Sequence, residues 1–233
     1  MSWDVLVLNL LNGISYGMIL FLLASGISLI YGVMGILNLA HGALYMVGAY
    51  VGWFIAIQYK MNFWLAVLMG GLTSGLLGLL LERVFFRRLY KQLTEQVLVT
   101  FGFIYILTNL CMWVWGADFR APFTAPILAG SFKIGGLTYP IARVGVIFIG
   151  LILAAFLWWL IDKTRVGAIV RAGMDDQEMT MALGINIPLV STAVFSLGTF
   201  IAGFAGVIGA QLLGVNPLLG IDVFQISMVV LVV

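Results

Sequence analysis

The chain alternates long apolar runs with short polar connections, and the lengths of the runs predict helices that cross a membrane. A helix needs about 20 consecutive apolar residues to span a bilayer. No charged residue lies between Asp4 and Lys60, which leaves room for two crossings. Further runs of sufficient length cover residues 61–81, 96–117, 144–161 and 179–221, the last interrupted by Pro188 and Pro217. The pattern therefore predicts an all-α, polytopic transmembrane helical bundle with about six full spans, forming a single domain over residues 1–233.

Residues 222–233 begin like a further span. They end after about half the length that a crossing requires, and no polar anchor follows them. We expect this last helix to be truncated, so that the rest of it lies beyond the C-terminus of the sequence.

The composition agrees with a membrane protein. Of the 233 residues, 63% are hydrophobic and 9% are charged, whereas soluble domains carry about 25% charged residues. The net charge of +2 is too small to indicate a nucleic-acid partner. Glycine pairs at four-residue spacing predict helix faces that pack closely in lipid. These pairs are Gly13/Gly17, Gly48/Gly52, Gly71/Gly75 and Gly206/Ala210.

Basic residues are concentrated in two loops and predict the orientation of the bundle. One loop holds Arg83, Arg87, Arg88 and Lys91, and the other holds Lys163, Arg165 and Arg171. The positive-inside rule places both loops in the cytoplasm. Two predicted crossings separate the loops, so both must lie on the same side of the membrane, which agrees with the rule. Residues 116–143 are then an external loop and the N-terminus lies outside. Within that loop, residues 131–139 resemble a short hairpin that turns at Gly135-Gly136.

A polar island interrupts the apolar sequence at residues 31–50. It holds the only histidine, His41, close to Asn38 and among several glycines. Clustered glycines permit a broken helix, and polar residues inside a membrane often mark a transport pathway. On that interpretation the candidate pathway residues are Asn38, His41, Gly42 and Tyr45. The alternative is that Asn38 and His41 form hydrogen bonds that only hold the helices together. A metal site is not expected, since no second ligand lies at suitable spacing.

A second polar island, residues 162–188, is the predicted cytoplasmic coupling segment. Its candidate residues are Arg171, Asp175, Asp176, Glu178 and Gly184. The acidic side chains lie near the start of a helix-compatible run, where they would favour its dipole and cap it, and the run stops at Gly184. The sequence contains no phosphate-binding loop or catalytic motif, and the spans carry almost no charge that could couple transport to an ion gradient. Docking onto a soluble motor subunit therefore suits this segment, and an ordinary solvated loop helix is the alternative.

Three stretches resemble one known family. Residues 26–42, Gly-Ile-Ser-Leu-Ile-Tyr-Gly-Val-Met-Gly-Ile-Leu-Asn-Leu-Ala-His-Gly, followed by Met-Val-Gly-Ala-Tyr at 46–50, closely resemble the N-terminal signature of the branched-chain amino acid permeases. Residues 171–185 resemble the cytoplasmic coupling segment of that family, and residues 214–220 resemble its later outward loop. The resemblance extends from about residue 5 to the end of the chain.

The resemblance implies a multi-pass subunit of an ATP-binding-cassette importer in the plasma (inner) membrane. Its partners would be a second homologous permease, ATPase subunits and an extracytoplasmic amino-acid-binding protein. This chain would hold no cofactor, because separate subunits would bind ATP. The coupling motif of such importers has the form Glu-Ala-Ala, three residues, then Gly. This chain keeps its ends, Glu178 and Gly184, but lacks both alanines. Arg171 could pair with an acidic residue of the partner.

Other functions remain open on the sequence. Within the same architecture, the cargo could be urea or a short amide instead of a branched-chain or other hydrophobic amino acid. A passive channel, a gradient-driven carrier and a non-transporting scaffold subunit are alternatives of other classes. Dependence of transport on ATP would separate the importer from the channel and the carrier.

Overall fold

The computed structural model describes residues 3–90, 92–124, 126–134 and 137–232, which are predominantly helical. The helices are α1 Trp3–Met34, α2 His41–Trp53, α3 Phe63–Val84, α4 Leu93–Trp115, α5 Ile141–Lys163, α6 Arg165–Asp175, α7 Gln177–Ala182, α8 Ile187–Leu213 and α9 Leu219–Val232. A π-helical turn, Phe54–Gln58, continues α2, and 3-10 turns form at Phe86–Arg88 and Pro126–Leu128. The prediction of an all-α polytopic bundle is confirmed.

Within the described residues, five helices are long and apolar enough to cross a membrane, namely α1, α3, α4, α5 and α8. The second of the two crossings expected between Asp4 and Lys60 is shorter than the rest. It consists of the 13 residues of α2 and the five residues of the π-helical turn. All residues from 41 to 50 are buried, so this segment lies inside the bundle.

Helix α8 forms the centre of the bundle and packs against α1, α2 and α3. The close approach of α8 to α2 and α3 depends on glycine. A methyl group placed on Gly48 of α2 would collide with the backbone of Gly203 in α8, and one placed on Gly71 of α3 would lie 2.8 Å from the ring of Phe200 in α8. Hydrogen bonds also join neighbouring helices. For example, the Ser74 hydroxyl donates to the Leu44 carbonyl at 2.8 Å, and the Ser196 hydroxyl donates to the Gly75 carbonyl at 3.0 Å. Close backbone approach and interhelical hydrogen bonds are what hold helices together in lipid.

Three of the four predicted glycine faces take part in this packing. Gly52 meets Val207, Gly75 meets Phe200, and Gly206 lies against Tyr45. The prediction is wrong for Gly13 and Gly17, because no atom lies within 4 Å of a methyl group placed on either. Spacing alone therefore identifies a possible packing face but not whether a neighbour covers it.

The connections gather at the two ends of the bundle as the charge pattern predicts. At one end, Arg83 and Arg87 of the first basic loop line a groove together with Asn186 of the predicted coupling segment. At the other end, the backbone N–H and carbonyl of Arg120 exchange hydrogen bonds with those of Val215 at 2.8 and 2.9 Å. The predicted hairpin forms there, with β1 Ser131–Ile134 antiparallel to β2 Leu137–Pro140. Its expected Gly135-Gly136 turn, like Lys91 of the first basic loop, lies outside the described residues.

Candidate functional site

The predicted break within the apolar sequence is present between α1 and α2. Gly35 has a φ of +64°, a conformation that suits glycine, and its N–H bonds the Tyr31 carbonyl at 2.8 Å to close α1. Residues 35–38 are not helical, and α2 then begins at His41, whose N–H bonds the Asn38 carbonyl at 3.2 Å. Ile36, Asn38 and His41 are buried. Irregular backbone at such depth is tolerated only where protein or a cavity surrounds it.

His41 lies beside the interior of two neighbouring helices, α1 and α8. A methyl group placed on Gly26 of α1 would lie 2.9 Å from Nε2 of His41 and 2.7 Å from the carbonyl oxygen of Gly198 in α8. Both glycines are well inside their helices. The N-terminus of α2 therefore lies within the bundle and not at its surface.

A second helix begins at the same place. A methyl group placed on Gly220, the second residue of α9, would lie 2.5 Å from the carbonyl oxygen of Gly42 and 3.2 Å from Cα of Ala43. The first turns of α2 and α9 thus lie against each other inside the bundle. Helix N-termini carry partial positive charge and favour anionic groups. The first turn of α2 holds no acidic residue, whereas the first turn of α9 holds Asp222.

The polar side chains at the break have no protein partners. Within the described residues, neither the side-chain amide of Asn38, nor the two ring nitrogens of His41, nor the hydroxyl of Tyr45 makes a hydrogen bond. All three residues are at most 1% exposed. Tyr45 directs its hydroxyl towards Gly209 of α8. Buried polar groups normally have partners. His41 lies within reach of the Leu23 backbone of α1, so the pathway role and the structural role of Asn38 and His41 are both still predictions.

An apolar cavity of about 220 Å³ adjoins the two helix starts. It lies between α2, α4 and α9, and Phe101 and Tyr105 of its lining are exposed, so it opens at the surface of the bundle. Its lining is mainly apolar, with Leu39, Ala43, Ile104, Gly220, Ile221 and Phe224, and also includes Gln225. Such a cavity suits a hydrocarbon side chain. Among the described residues, no group of three or more His, Cys, Asp or Glu side chains is placed to hold a metal ion.

The predicted coupling segment forms two short helices and not one. Asp176 lies between α6 and α7, and its carboxylate accepts a hydrogen bond from the Met179 N–H at 2.9 Å. This confirms the predicted capping for Asp176, and Glu178 lies in the first turn of α7. For Asp175 the prediction is wrong, because this residue ends α6. The break arises because Asp176 is extended, with φ −154° and ψ 104°.

Gly184 ends the helical run of α7 as predicted. It follows α7 with a φ of +83°, and its N–H bonds the Met181 carbonyl at 2.9 Å. This is the usual way for glycine to terminate a helix, since other residues are strained in that conformation.

Arg171 makes its contacts within the chain. Its guanidinium donates a hydrogen bond to the Ile161 carbonyl and lies 3.9 Å from the Asp162 carboxylate. These contacts tie α6 to the end of α5. The apolar side chains of Met179, Met181 and Leu183 are instead exposed, by 61%, 48% and 73%. Exposed apolar side chains on a connection between spans are typical of a surface that binds another protein.

The sequence analysis missed Glu82, which is fully buried at the end of α3. Its carboxylate accepts hydrogen bonds from the Tyr90 hydroxyl at 2.8 Å and from the Thr192 hydroxyl at 2.5 Å. These contacts join α3, the first basic loop and α8. Burial raises the pKa of Tyr90, and the hydrogen bond to Glu82 raises it further. The available signal was the single acid at the end of an apolar run, which we interpreted only as a boundary.

Comparison with known proteins gives a consistent result. Residues 9–233 match the family model described as the permease component of the branched-chain amino acid transport system. The high-affinity branched-chain amino acid transport system permease protein LivH of Salmonella typhimurium is 28% identical over 225 residues, covering 91% of this chain and 73% of LivH. LivH of Escherichia coli K12 is 30% identical over 228 residues with the same coverage. LivM of Salmonella typhimurium, a permease protein with the same system name, is 27% identical over 86% of this chain and 52% of LivM. No solved structure matches.

Proposed function

We propose that this chain, which belongs to the family of branched-chain amino acid transport system permease components, imports branched-chain or other hydrophobic amino acids. It is a multi-pass protein of the plasma membrane and would serve as the membrane-spanning subunit of an ATP-binding-cassette importer. One structural observation carries the proposal. Two helices begin against each other inside the bundle, beside buried polar side chains without protein partners and beside an apolar cavity.

This site fits both parts of a branched-chain amino acid. The starts of α2 and α9 favour the carboxylate through their helix dipoles, as half-helices do in other transporters. The polar groups of Asn38, His41 and Tyr45 are available for hydrogen bonds to the substrate. The cavity lined by Ala43, Ile104 and Phe224 takes the hydrocarbon side chain. An apolar cavity is the observation that favours a hydrophobic amino acid over urea or a short amide.

The coupling segment transmits the conformational change of the ATPase subunits to the membrane-spanning helices. Separate subunits bind and hydrolyse ATP, and they contact the exposed side chains of Met179, Met181 and Leu183 together with Glu178. Closure of these subunits moves α6 and α7 as a unit. The motion reaches α8 through the short connection after Gly184, and a rigid shift of helices then opens the pathway on the other side. Transport therefore proceeds by alternating access.

The complex contains a second permease and an extracytoplasmic binding protein. The names of LivH and LivM assign two permease proteins to a high-affinity branched-chain amino acid transport system. This chain is similar to both, which supports pairing with a homologous permease.

The experiment is ATP-driven uptake into proteoliposomes that hold the intact transporter, purified through this chain with its ATPase subunits. Radiolabelled leucine and urea are compared, each with and without ATP and with the binding protein present. We expect leucine to accumulate only when ATP is hydrolysed. Equilibration of leucine without ATP would support a passive channel and contradict the proposal, and ATP-driven uptake of urea but not leucine would contradict the substrate.

A further inference from the structure

Aromatic rings and one arginine form a cluster at the outer end of α2 and α4. We define this outer cluster as Tyr50, Trp53, Phe54, Trp115 and Arg120. The rings of Tyr50 and Trp115 stack with centroids 5.3 Å apart, and Phe54 meets Trp115 edge-on at 6.0 Å. The guanidinium carbon of Arg120 lies 4.8 Å from the centroid of the Trp53 ring.

Backbone contacts hold Arg120 in place. Gly116 ends α4 with a φ of +87° and turns the chain back towards the bundle. The backbone of Arg120 then pairs with Val215 in the loop between α8 and α9. Its Nη2 donates to the Trp115 carbonyl at 2.5 Å. The arginine is therefore fixed where α2, α4 and the loop before α9 meet.

Three polar groups of this cluster lack partners. Within the described residues, the Tyr50 hydroxyl, the Trp115 indole nitrogen and Nε of Arg120 are buried and make no hydrogen bond. Tyr50 is 0% exposed. Indole and guanidinium groups can only donate hydrogen bonds, and a tyrosine hydroxyl can donate one. Each of the three would be satisfied by a hydrogen-bond acceptor, and beside an arginine the favoured acceptor is a carboxylate. The chain's own Asp118 carboxylate is close by, since it and Nη2 of Arg120 lie 4.0 and 3.7 Å from a methyl group placed on Gly116.

The outer cluster lies in line with the apolar cavity. Tyr50 follows Ala43 of the cavity by seven residues, which places both on one face of α2, roughly 10 Å apart along its axis. Trp115 follows Ile104 of the cavity by eleven residues, so these two share a face of α4 and lie roughly 16 Å apart. Both faces lead from the cavity to the outer end of the bundle.

We propose that the outer cluster is an entry site that binds the carboxylate of the incoming amino acid before the substrate reaches the helix starts at Gly42 and Gly220. This inference rests on the proposed function and extends it. Arg120 and the donors of Tyr50 and Trp115 bind the carboxylate, and the aromatic rings contact the hydrocarbon side chain. A substrate without a carboxylate, such as urea or an amide, gains nothing from this site.

Tryptophan fluorescence of the purified, intact transporter tests the inference directly, because two tryptophans belong to the cluster. The probes are leucine, isovalerate and leucinamide. Isovalerate keeps the branched side chain and the carboxylate, whereas leucinamide lacks the carboxylate. We expect leucine and isovalerate to change the emission and leucinamide to leave it unchanged. The change should disappear in Trp115→Phe, which identifies its source.

Variants connect the site to transport. Arg120→Gln should lower ATP-driven leucine uptake about tenfold or more, because it removes a charge-assisted hydrogen bond. Arg120→Lys should recover part of the uptake, and Tyr50→Phe, which keeps the stacked ring, should lower uptake about threefold or more. The matched control is Lys133→Gln, which removes one positive charge from the exposed hairpin and should transport normally.

The outcomes separate the two proposals. Failure of the unmodified transporter to take up leucine with ATP would contradict the proposed function. Normal leucine uptake by Tyr50→Phe and Arg120→Gln, with no emission change in the unmodified protein, would overturn the entry site and leave the proposed function standing. An emission change produced by the unliganded binding protein but not by leucine would also overturn it, because the carboxylate would then belong to that protein. If Arg120→Gln does not assemble, Arg120→Lys and Tyr50→Phe decide.

Discussion

Gly42 and Gly220 lie against each other where α2 and α9 begin, so closely that a methyl group on Gly220 would lie 2.5 Å from the carbonyl oxygen of Gly42. The contact joins residues that are far apart in sequence and brings two helix N-termini together inside the bundle. Helix N-termini carry partial positive charge that favours an anionic group; at α9 the first turn also holds the acidic side chain of Asp222.

The variant Gly220→Ala should push the two helix starts apart. We expect a loss of about 1–3 kcal/mol in the free energy of unfolding, because the added methyl group overpacks the contact, and a marked fall in leucine uptake. Thermal unfolding in detergent and uptake assays measure the two effects. The matched control is Gly13→Ala, whose methyl group would meet no atom within 4 Å. Equal behaviour of the two variants would show that the contact is not tight.

The variant Asn38→Leu distinguishes a pathway residue from one that holds the helices together. The side-chain amide of Asn38 is buried and has no partner in the described part of the chain, so an apolar side chain of similar size should leave the melting temperature unchanged or raise it. Leucine uptake should nevertheless fall about tenfold, since a polar contact to the substrate is lost. A lower melting temperature with normal uptake would support the structural role.

The double variant Glu178→Ala, Gly184→Ala should uncouple ATP hydrolysis from uptake. Gly184 has a φ of +83°, and an alanine there costs about 1–2 kcal/mol, which distorts the end of α7. We expect the complex to assemble in part and to hydrolyse ATP while uptake is lost. Gly102→Ala, which adds a methyl group without a neighbour on α4, is the control. Uptake at the unmodified level, with equal expression, would be inconsistent with a coupling role.

Alkaline pH should destabilise the end of α3 through Tyr90. Its pKa is raised above the ordinary value of 10 by burial and by the hydrogen bond to Glu82. The folded protein therefore keeps this proton at a pH at which the unfolded chain has lost it, and stability falls as the pH rises above about 10. Unfolding of the unmodified protein and of Tyr90→Phe is compared between pH 8 and 11. The difference in stability between them should shift in favour of the variant above pH 10; a constant difference would contradict the assignment.

The helices could be predicted from the sequence because a bilayer imposes a minimum length on every apolar run, and the uncharged interval from Asp4 to Lys60 is long enough for two. The break before His41 was also visible, since glycines and polar residues rarely gather inside a span. The residues that face the break were not, because Gly26, Gly198 and Gly220 come from three different helices. Contacts between distant segments depend on packing, and a single sequence does not record packing.

The same limit explains the side chains that were missed. Glu82 is buried because it meets Thr192, which is 110 positions later in the chain. Arg120 is fixed by Trp53 and Val215, neither of which is near it in sequence. The charge pattern placed Glu82 at the end of the apolar run 61–81 and Arg120 in the external loop 116–143, and gave no indication of their partners. In the coupling segment, by contrast, the caps are local, so the roles of Asp176 and Gly184 could be predicted.

The most direct test of the substrate pathway is thiol labelling at position 43, because Ala43 lies in the first turn of α2 and lines the cavity. Cys111 is the only native cysteine, so Ala43→Cys in a Cys111→Ala background gives one reactive thiol, and Ala66→Cys, at a fully buried position in α3, gives the control. We predict that a membrane-impermeant thiol reagent labels the Ala43→Cys variant in the intact transporter, that leucine slows this labelling, and that ATP changes its rate. The Ala66→Cys control should stay unlabelled. A labelling rate of the Ala43→Cys variant that is independent of leucine and ATP, or no labelling of it in any state, would contradict the account.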